Sequence, residues 1–347
     1  MRPGSVSVMR EWSPGIVCLL ALGCGRQDAP PREVAGGSAA APAAEAEAWR
    51  PLVGEYERGG RRLVLLERSD TLRVLLDSGL GLPVVLAADS LVPLDVPTAP
   101  RFAIARAPDG AVSALADAGG AWTRRPLGRG TFRITPRRPV AELRAAALAA
   151  IPPVEPPDLL PPDLVEITSL DSTIRLDIWY ATTDNFMGEQ FYESPRAFLQ
   201  RPAAEALVRA HHRLEALGYG LLIHDAYRPW YVTWMFWEAT PDSQKVFVAD
   251  PAAGSRHNRG AAVDLTLYER ATGRPIAMPS GYDEFSERAH PYYPGGTSRQ
   301  RWHRDLLRAT LEAEGFRVYE YEWWHFDFAG WERYPILNLR FGEIVGR

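Results

Sequence analysis

The chain has 347 residues, 46% hydrophobic and 24% charged, enough apolar material for a large core and more than one domain, which excludes a disordered or fibrous protein. Lys plus Arg number 39 against 43 Asp plus Glu, a net charge of -4, so no cationic surplus exists to hold a nucleic acid by counterion release. Cysteine is confined to Cys18 and Cys24, so any metal in the body of the chain must be held by His, Asp and Glu.

Arg2 and Arg10 precede a short apolar run at residues 16–22. It is far shorter than the ~20 residues that span a bilayer and suits the core of a signal peptide. The run closes Leu20-Ala-Leu-Gly-Cys24, small residues leading to a cysteine, which resembles a bacterial lipoprotein processing site, although Ala21 stands where such sites usually carry Leu. Residues 1–24 are expected to be a signal peptide with Cys24 lipidated; the alternative is an ordinary secretory signal cleaved among the later alanines. Residues 25–48 are mostly Ala, Pro, Gly, Ser and Glu, the composition of a disordered tether.

Residues 49–136 have a different texture. Apolar stretches at 62–66, 72–76, 84–86, 101–105, 112–115 and 131–135 are separated by turn signals at Gly59-Gly60, Ser69-Asp70, Asp109-Gly110 and Gly119-Gly120. The pattern predicts a small all-β domain, a meander or barrel. It holds no histidine, so it is assigned binding or spacing rather than chemistry. Leu52-Val-Gly-Glu-Tyr56, followed by Leu63 and an Asp-Gly hairpin, resembles the lipocalin-like accessory domains appended to some bacterial hydrolases. Residues 137–162 read as an alanine-rich helix followed by a stiff Pro-rich linker.

All seven histidines, His211, His212, His224, His257, His290, His303 and His325, lie beyond the linker, in a domain expected over 163–347. In Ser255-Arg-His-Asn-Arg-Gly-Ala-Ala-Val-Asp264, Gly260 makes a helix improbable and the residues after it alternate like a strand. His257 is therefore expected on a loop and Asp264 on the strand it feeds. A carboxylate among Ala262, Val263, Leu265 and Leu267 is costly to bury unless it is paired or binds metal; an arginine partner such as Arg259 is the bland alternative.

In Tyr321-Glu-Trp-Trp-His-Phe-Asp-Phe328, Glu322 and His325 are three apart, on opposite faces of a straight strand, so a turn or helical step must bring them together if both serve one site. The aromatics would strip water from Glu322 and raise its pKa, suiting it to proton transfer near neutral pH. The competing reading is a core strand with an inert His325. Taken together, His257, Asp264 and His325 supply three ligands and leave one position open, as catalytic zinc is held. Glu322 would then accept a proton from water whose pKa the metal lowers. Gly220-Leu-Leu-Ile-His-Asp-Ala-Tyr-Arg-Pro229 reads as a strand running to the start of a helix, with Arg228 at the strand exit, placed to stabilise an oxyanion or to bridge surface carboxylates.

These segments and Tyr180-Ala-Thr-Thr-Asp-Asn-Phe-Met-Gly188 resemble, in order, the zinc D-alanyl-D-alanine dipeptidases of the VanX type, peptidase family M15, over about residues 163–335. The resemblance implies an α+β domain with a central, mainly antiparallel sheet flanked by helices, and our own reading places helices near 201–217, 229–239 and 299–314. It implies one Zn2+ held by His257, Asp264 and His325, Glu322 as general base and acid, Arg228 as transition-state stabiliser, and substrate contacts from Ser255, Tyr180 and Asp283. Pro279 and Tyr282 stand where the family's loop usually has glycine and phenylalanine, which alters the pocket wall. Asp283 is the candidate partner for a substrate ammonium, with a helix N-cap as its competing role; His290 and His303 are expected to be dispensable for metal. The expected activity is hydrolysis of D-Ala-D-Ala or related peptidoglycan peptides in the periplasm or cell envelope, at a membrane surface. A zinc D,D- or L,D-carboxypeptidase is the runner-up within enzymes, and a catalytically idle cell-wall binding protein is the alternative from another class.

Overall fold

The computed structural model describes residues 40–77, 81–126, 128 and 131–344; the apolar run at 16–22 and Cys24 lie outside them. Eight strands come first: β1 (Gly54–Arg58), β2 (Arg61–Glu67), β3 (Leu72–Leu76), β4 (Leu82–Ala87), β5 (Ser90–Pro93), β6 (Phe102–Arg106), β7 (Val112–Asp117) and β8 (Gly120–Arg124). Each pairs antiparallel with the next, and β1 closes on β8 through Tyr56–Arg124 and Glu57–Thr123, making a barrel. Gly59-Gly60 (φ +56° and +78°) and Ser69-Asp70 (φ +51° and +57°) form the two-residue turns whose backbone twist suits a hairpin. Tyr56, Leu63, Leu65, Leu72, Phe102 and Trp122 fill the interior and give the barrel a packed core.

The strand expected at 131–135 does not form. The barrel is closed instead by β8, whose Gly-Ala-Trp-Thr-Arg sequence carries one large inward side chain, Trp122, and so gives little signal. Residues 131–135 run across the second domain, where Ile134 is buried, Phe132 packs against the same core, and Ile134 N–H donates to Phe186 O at 2.8 Å.

The second domain continues with α1 (Val140–Ala149), β9 (Leu164–Glu166), α2 (Ile167–Leu170), β10 (Arg175–Leu176), β11 (Phe198–Gln200), α3 (Arg201–Glu215), β12 (Tyr219–Asp225), α4 (Trp230–Ala239), β13 (Ala262–Glu269), α5 (Ser298–Glu312), β14 (Phe316–Tyr319) and β15 (Glu322–Phe328). Its main sheet has the order β10-β12-β13-β15-β14, with β10 parallel to β12 and the other pairs antiparallel, and β9 and β11 form a separate pair. A small all-β domain thus precedes an α+β domain, as expected. Helix α3 buries Ala203, Leu207, Ala210, His211 and Leu214, the spacing of one helical face. His211 Nδ1 accepts from Leu221 N–H at 3.1 Å and ties that face to β12. Thr297 and Gln300 form a capping box that starts α5. Among the described residues no helix is long and apolar enough to cross a membrane.

Candidate active site

Sheet pairing assembles the centre. Asp225 of β12 lies opposite Asp264 of β13, and Asp264 lies opposite His325 of β15. His257 reaches the same point from a single 3-10 turn, residues Arg256–Arg259, capped by Ser255 and Asn258. Gly260 ends that turn at φ +63°, and a Cβ there would meet Leu164 Cδ2 at 2.4 Å, so the glycine that argues against a helix is required both by conformation and by space.

His257 Nε2, Asp264 Oδ1 and His325 Nδ1 converge, with pairwise separations of 2.9 Å (Asp264–His325), 3.2 Å (His257–His325) and 3.4 Å (His257–Asp264). Three ligands of a tetrahedral zinc at bonds of about 2.0–2.1 Å stand roughly 3.3–3.4 Å apart, so the donor set fits. The outer nitrogens are committed elsewhere: His257 Nδ1 is 2.7 Å from Ala226 O, and His325 Nε2 is 3.0 Å from Asp327 Oδ1. Those partners fix the tautomers that leave Nε2 and Nδ1 respectively free to bind metal. Tyr282 donates its hydroxyl to Asp264 Oδ2 at 3.1 Å. Burial favours a neutral Asp264, but His257 and His325 hold its carboxyl well below the usual range. Burial likewise lowers the His325 pKa, yet its bonds to Asp264 and Asp327 carry it up to about 10; a metal ion would displace the proton on Nδ1.

The parity problem at Glu322 is solved by a bulge. Along β14–β15, Val318 pairs with Phe326 and Tyr319 with Glu322, so the intervening residues of β15 loop out. Glu322 thereby returns to the His325 side, with Oε2 3.9 Å from His325 Nδ1. Burial raises its carboxyl above the usual range, opposed by His325 and reinforced by Asp264.

Arg228 bridges no surface carboxylate. It is buried and donates through Nε (3.0 Å) and Nη2 (2.7 Å) to Oδ2 of Asp225, while its cationic carbon lies 5.3 Å from the Tyr180 ring and 5.1 Å from the Phe236 ring. Asp225 is fully buried and accepts also from the Tyr192 hydroxyl at 2.6 Å and from Ala226 N–H. The sequence reading assigned Asp225 no role; its signal was its position three residues before Arg228 in a strand-exit motif. Asp327 also went unassigned as a partner of His325, although two residues along a strand place both on one face.

Tyr180 and Asp283 meet across the fold, the hydroxyl donating to Asp283 Oδ2 at 2.9 Å. Asp283 has φ +53° and caps no helix; the short turn after it, Glu287–Ala289, is capped by Ser286. Burial and the Asp264 carboxylate push the Asp283 carboxyl well above its usual range, against the Tyr180 bond and Arg228. Ser255 lines the same space, with its hydroxyl accepting from His257 N–H at 3.3 Å. A cavity of about 810 Å³ takes its walls from these residues, from Glu322 and the three candidate ligands, and from Phe247 and Phe285. His303 is away from the cluster, bonded to Tyr219, and His290 lines the cavity without joining the ligand group.

Residues 162–341 match the peptidase M15 family described as D-ala-D-ala dipeptidase. The chain is 36% identical over 183 residues to the D-alanyl-D-alanine dipeptidase of Escherichia coli (strain K12), a match spanning 53% of this chain and 93% of that protein. It is 36% identical over 186 residues to the D-alanyl-D-alanine dipeptidase of Enterococcus faecalis, with 48% and 92% covered. The Streptomyces coelicolor dipeptidase is 35% identical over 182 residues, with 47% and 90% covered. Among solved structures, an LD-carboxypeptidase is similar over 52% of this chain and 71% of its own, at 20% identity and a TM-score of 0.28, too slight to carry an argument.

Proposed function

The chain belongs to the D-alanyl-D-alanine dipeptidase family of M15 peptidases, and on that premise we propose that it is an exported zinc dipeptidase acting on D-Ala-D-Ala derived from peptidoglycan. The observation that carries the reading is that His257, Asp264, His325, Glu322, Arg228 and Asp283 all line one cavity. Zinc held by the first three would supply Lewis acidity and acidify water in the site. Glu322 accepts the proton of the attacking water and delivers it to the departing amine. Arg228 keeps one edge of its guanidinium on Asp225 and turns its remaining N–H groups to the developing oxyanion.

Asp283, with Tyr180, takes the substrate's free ammonium. An N-acylated peptide presents a bulkier, neutral amide there and leaves the carboxylate unmatched, so the site selects dipeptides over longer chains. Export and attachment through a lipidated Cys24 rest on the apolar run and the small residues before that cysteine; a Cys24→Ser form recovered in the soluble fraction after export supports the anchor, and one retained on membranes opposes it. The size of the cavity, about 810 Å³, favours as second reading a D,D- or L,D-carboxypeptidase acting on stem peptides.

The deciding experiment gives the purified, zinc-loaded protein D-Ala-D-Ala, its N-acetyl form and a stem pentapeptide. Cleavage of the free dipeptide alone, abolished by a chelator and reduced about 10²–10⁴-fold by Glu322→Ala with zinc retained, is expected. Equal cleavage of the N-acetyl dipeptide overturns the dipeptidase assignment in favour of the carboxypeptidase.

A further inference from the structure

The barrel touches the α+β domain along the segment between β13 and α5. The later part of that segment, residues 279–297, supplies one wall of the cavity, including Asp283, Glu284, Phe285 and His290. Two barrel carboxylates reach it. Glu55 is 1% exposed and accepts from the Tyr293 hydroxyl at 2.8 Å and from Arg125 at 2.6 Å. Glu67 is 3% exposed and accepts at its carboxylate from Ser298 N–H (2.6 Å) and Ser298 Oγ (3.0 Å), so a barrel residue satisfies an open N–H at the start of α5. The backbones also join, with Glu67 N–H donating to Gly296 O at 3.2 Å. Tyr293 lies in an apolar cluster with Val64 and Leu66 of β2.

Closer to the chemistry, Arg62 of β2 pairs with Glu287, and Gly128 N–H donates to Glu284 Oε2 at 3.3 Å. Glu284 is itself buried, and it accepts from Gly281 N–H at 3.1 Å and from Arg288, whose Nη2 donates to Pro279 O at 2.7 Å. The turn that carries Asp283 in its left-handed conformation is thus braced by Glu284 from within the segment, and the barrel braces the segment at Glu287 and Tyr293 and, just beyond it, at Ser298 of α5. A left-handed aspartate holds its geometry only when its surroundings determine it.

We infer that the barrel is an intramolecular clamp on the substrate-recognition wall: Glu55 and Glu67, through Tyr293 and Ser298, are positioning residues that hold the Asp283 turn in register with Tyr180. The barrel's described interior side chains pack on one another, which fits this role. The inference rests on the proposed reading of Asp283 as the ammonium partner. Glu55, Glu67, Tyr293 and Ser298 are not among the residues that line the cavity, so their effect should fall on recognition and leave the proton transfer at Glu322 alone.

The test uses the full chain with Glu67→Ala, Glu67→Gln and Tyr293→Phe, with Arg62→Ala as the surface variant should a buried one fail to fold. Deuterium uptake across 279–297 is measured with zinc content, and kcat and KM are measured on D-Ala-D-Ala and its N-acetyl form. Glu67→Ala should speed exchange in the segment and raise KM for the free dipeptide on the order of tenfold, the weight of a charge-assisted hydrogen bond, with kcat near wild type. Glu67→Gln, which keeps an acceptor for Ser298 N–H, should recover part of that loss. Unchanged exchange in 279–297 in all folded variants overturns the clamp, as does faster exchange with KM unmoved. Asp283→Asn run alongside separates the two ideas: if it leaves KM and the preference for the free ammonium intact, the reading of Asp283 fails, and the clamp is then judged by exchange alone.

Discussion

Asp327 and Tyr282 touch two of the candidate metal ligands. Each holds the outer edge of a donor, His325 Nε2 at 3.0 Å and Asp264 Oδ2 at 3.1 Å, and such partners set ring orientation and ligand basicity. Asp327→Asn and Tyr282→Phe should therefore each weaken zinc binding by about 10–100-fold while leaving one equivalent bound at saturation. His257→Ala and His325→Ala should lose stoichiometric zinc altogether. Chelator competition with metal analysis checks both, and wild-type affinity in Asp327→Asn would remove that residue from the centre. Asp225 acts on Arg228 in the same indirect way. Asp225→Ala leaves a buried guanidinium without its partner, a loss of about 3–5 kcal/mol, so denaturant melts should shift strongly. Asp225→Asn keeps an acceptor and should stay folded with kcat reduced and KM little changed, since the oxyanion forms only in the transition state. A wild-type kcat in that variant would show that Arg228 does not need the bond.

Helix α5 offers a pH test outside the candidate metal group. His303 on this helix is 4% exposed and lies 3.1 Å from the Tyr219 hydroxyl, and burial, with Arg299 adding to it, lowers its pKa to about 4 from 6.5. Between those values the unfolded chain takes up a proton that the folded chain refuses. Its contribution to stability is therefore complete above about pH 6.5 and is lost as pH falls towards 4. His303→Gln should flatten that part of the melting-temperature profile relative to wild type, and an unchanged slope would assign it to other groups. Helices such as α3, α4 and α5 were legible in the sequence because apolar spacing and Pro229, which caps α4, are local signals. The candidate ligands were legible for a similar reason: Gly260 separates loop from strand, and a carboxylate among Val263 and Leu265 needs a partner. Other features depend on pairing across the sheet, which no single segment encodes. The bulge that turns Glu322 back to His325 exists only because β14 pairs out of step, and closure by β8 depends on β1 being there to receive Tyr56–Arg124. The sequence likewise suggested a strand at 131–135, where β-branched and aromatic residues alternate, but that segment finds its partners in Phe186 and the second domain's core.

At the scale of the whole molecule, the seam between barrel and α+β domain contains two buried carboxylates that neither body could bury alone. Glu55 depends on Tyr293, and Glu67 on Ser298. Separating the bodies would return both to water and expose Tyr293 with Val64 and Leu66, so the two should melt together. A substitution deep in the barrel tests this without touching the seam. Trp122 is 1% exposed, donates its Nε1–H to Asp117 at 2.9 Å and lies under the Arg58 guanidinium at 4.1 Å. Trp122→Ala should cost about 3–5 kcal/mol through lost burial and the cavity left behind. In a chain of this size that lowers the melting temperature on the order of 10 °C. With coupled bodies, calorimetry of the variant shows one endotherm displaced as a whole, and peptidase activity disappears over the same temperature range. With independent bodies, an early barrel transition precedes an unshifted one, and activity survives the first; proteolytic fragments taken between the two transitions would then come from residues 54–124 alone. That second pattern would also deprive the clamp of its mechanical basis, because a barrel that unfolds without disturbing residues 279–297 cannot be what holds Asp283 in place.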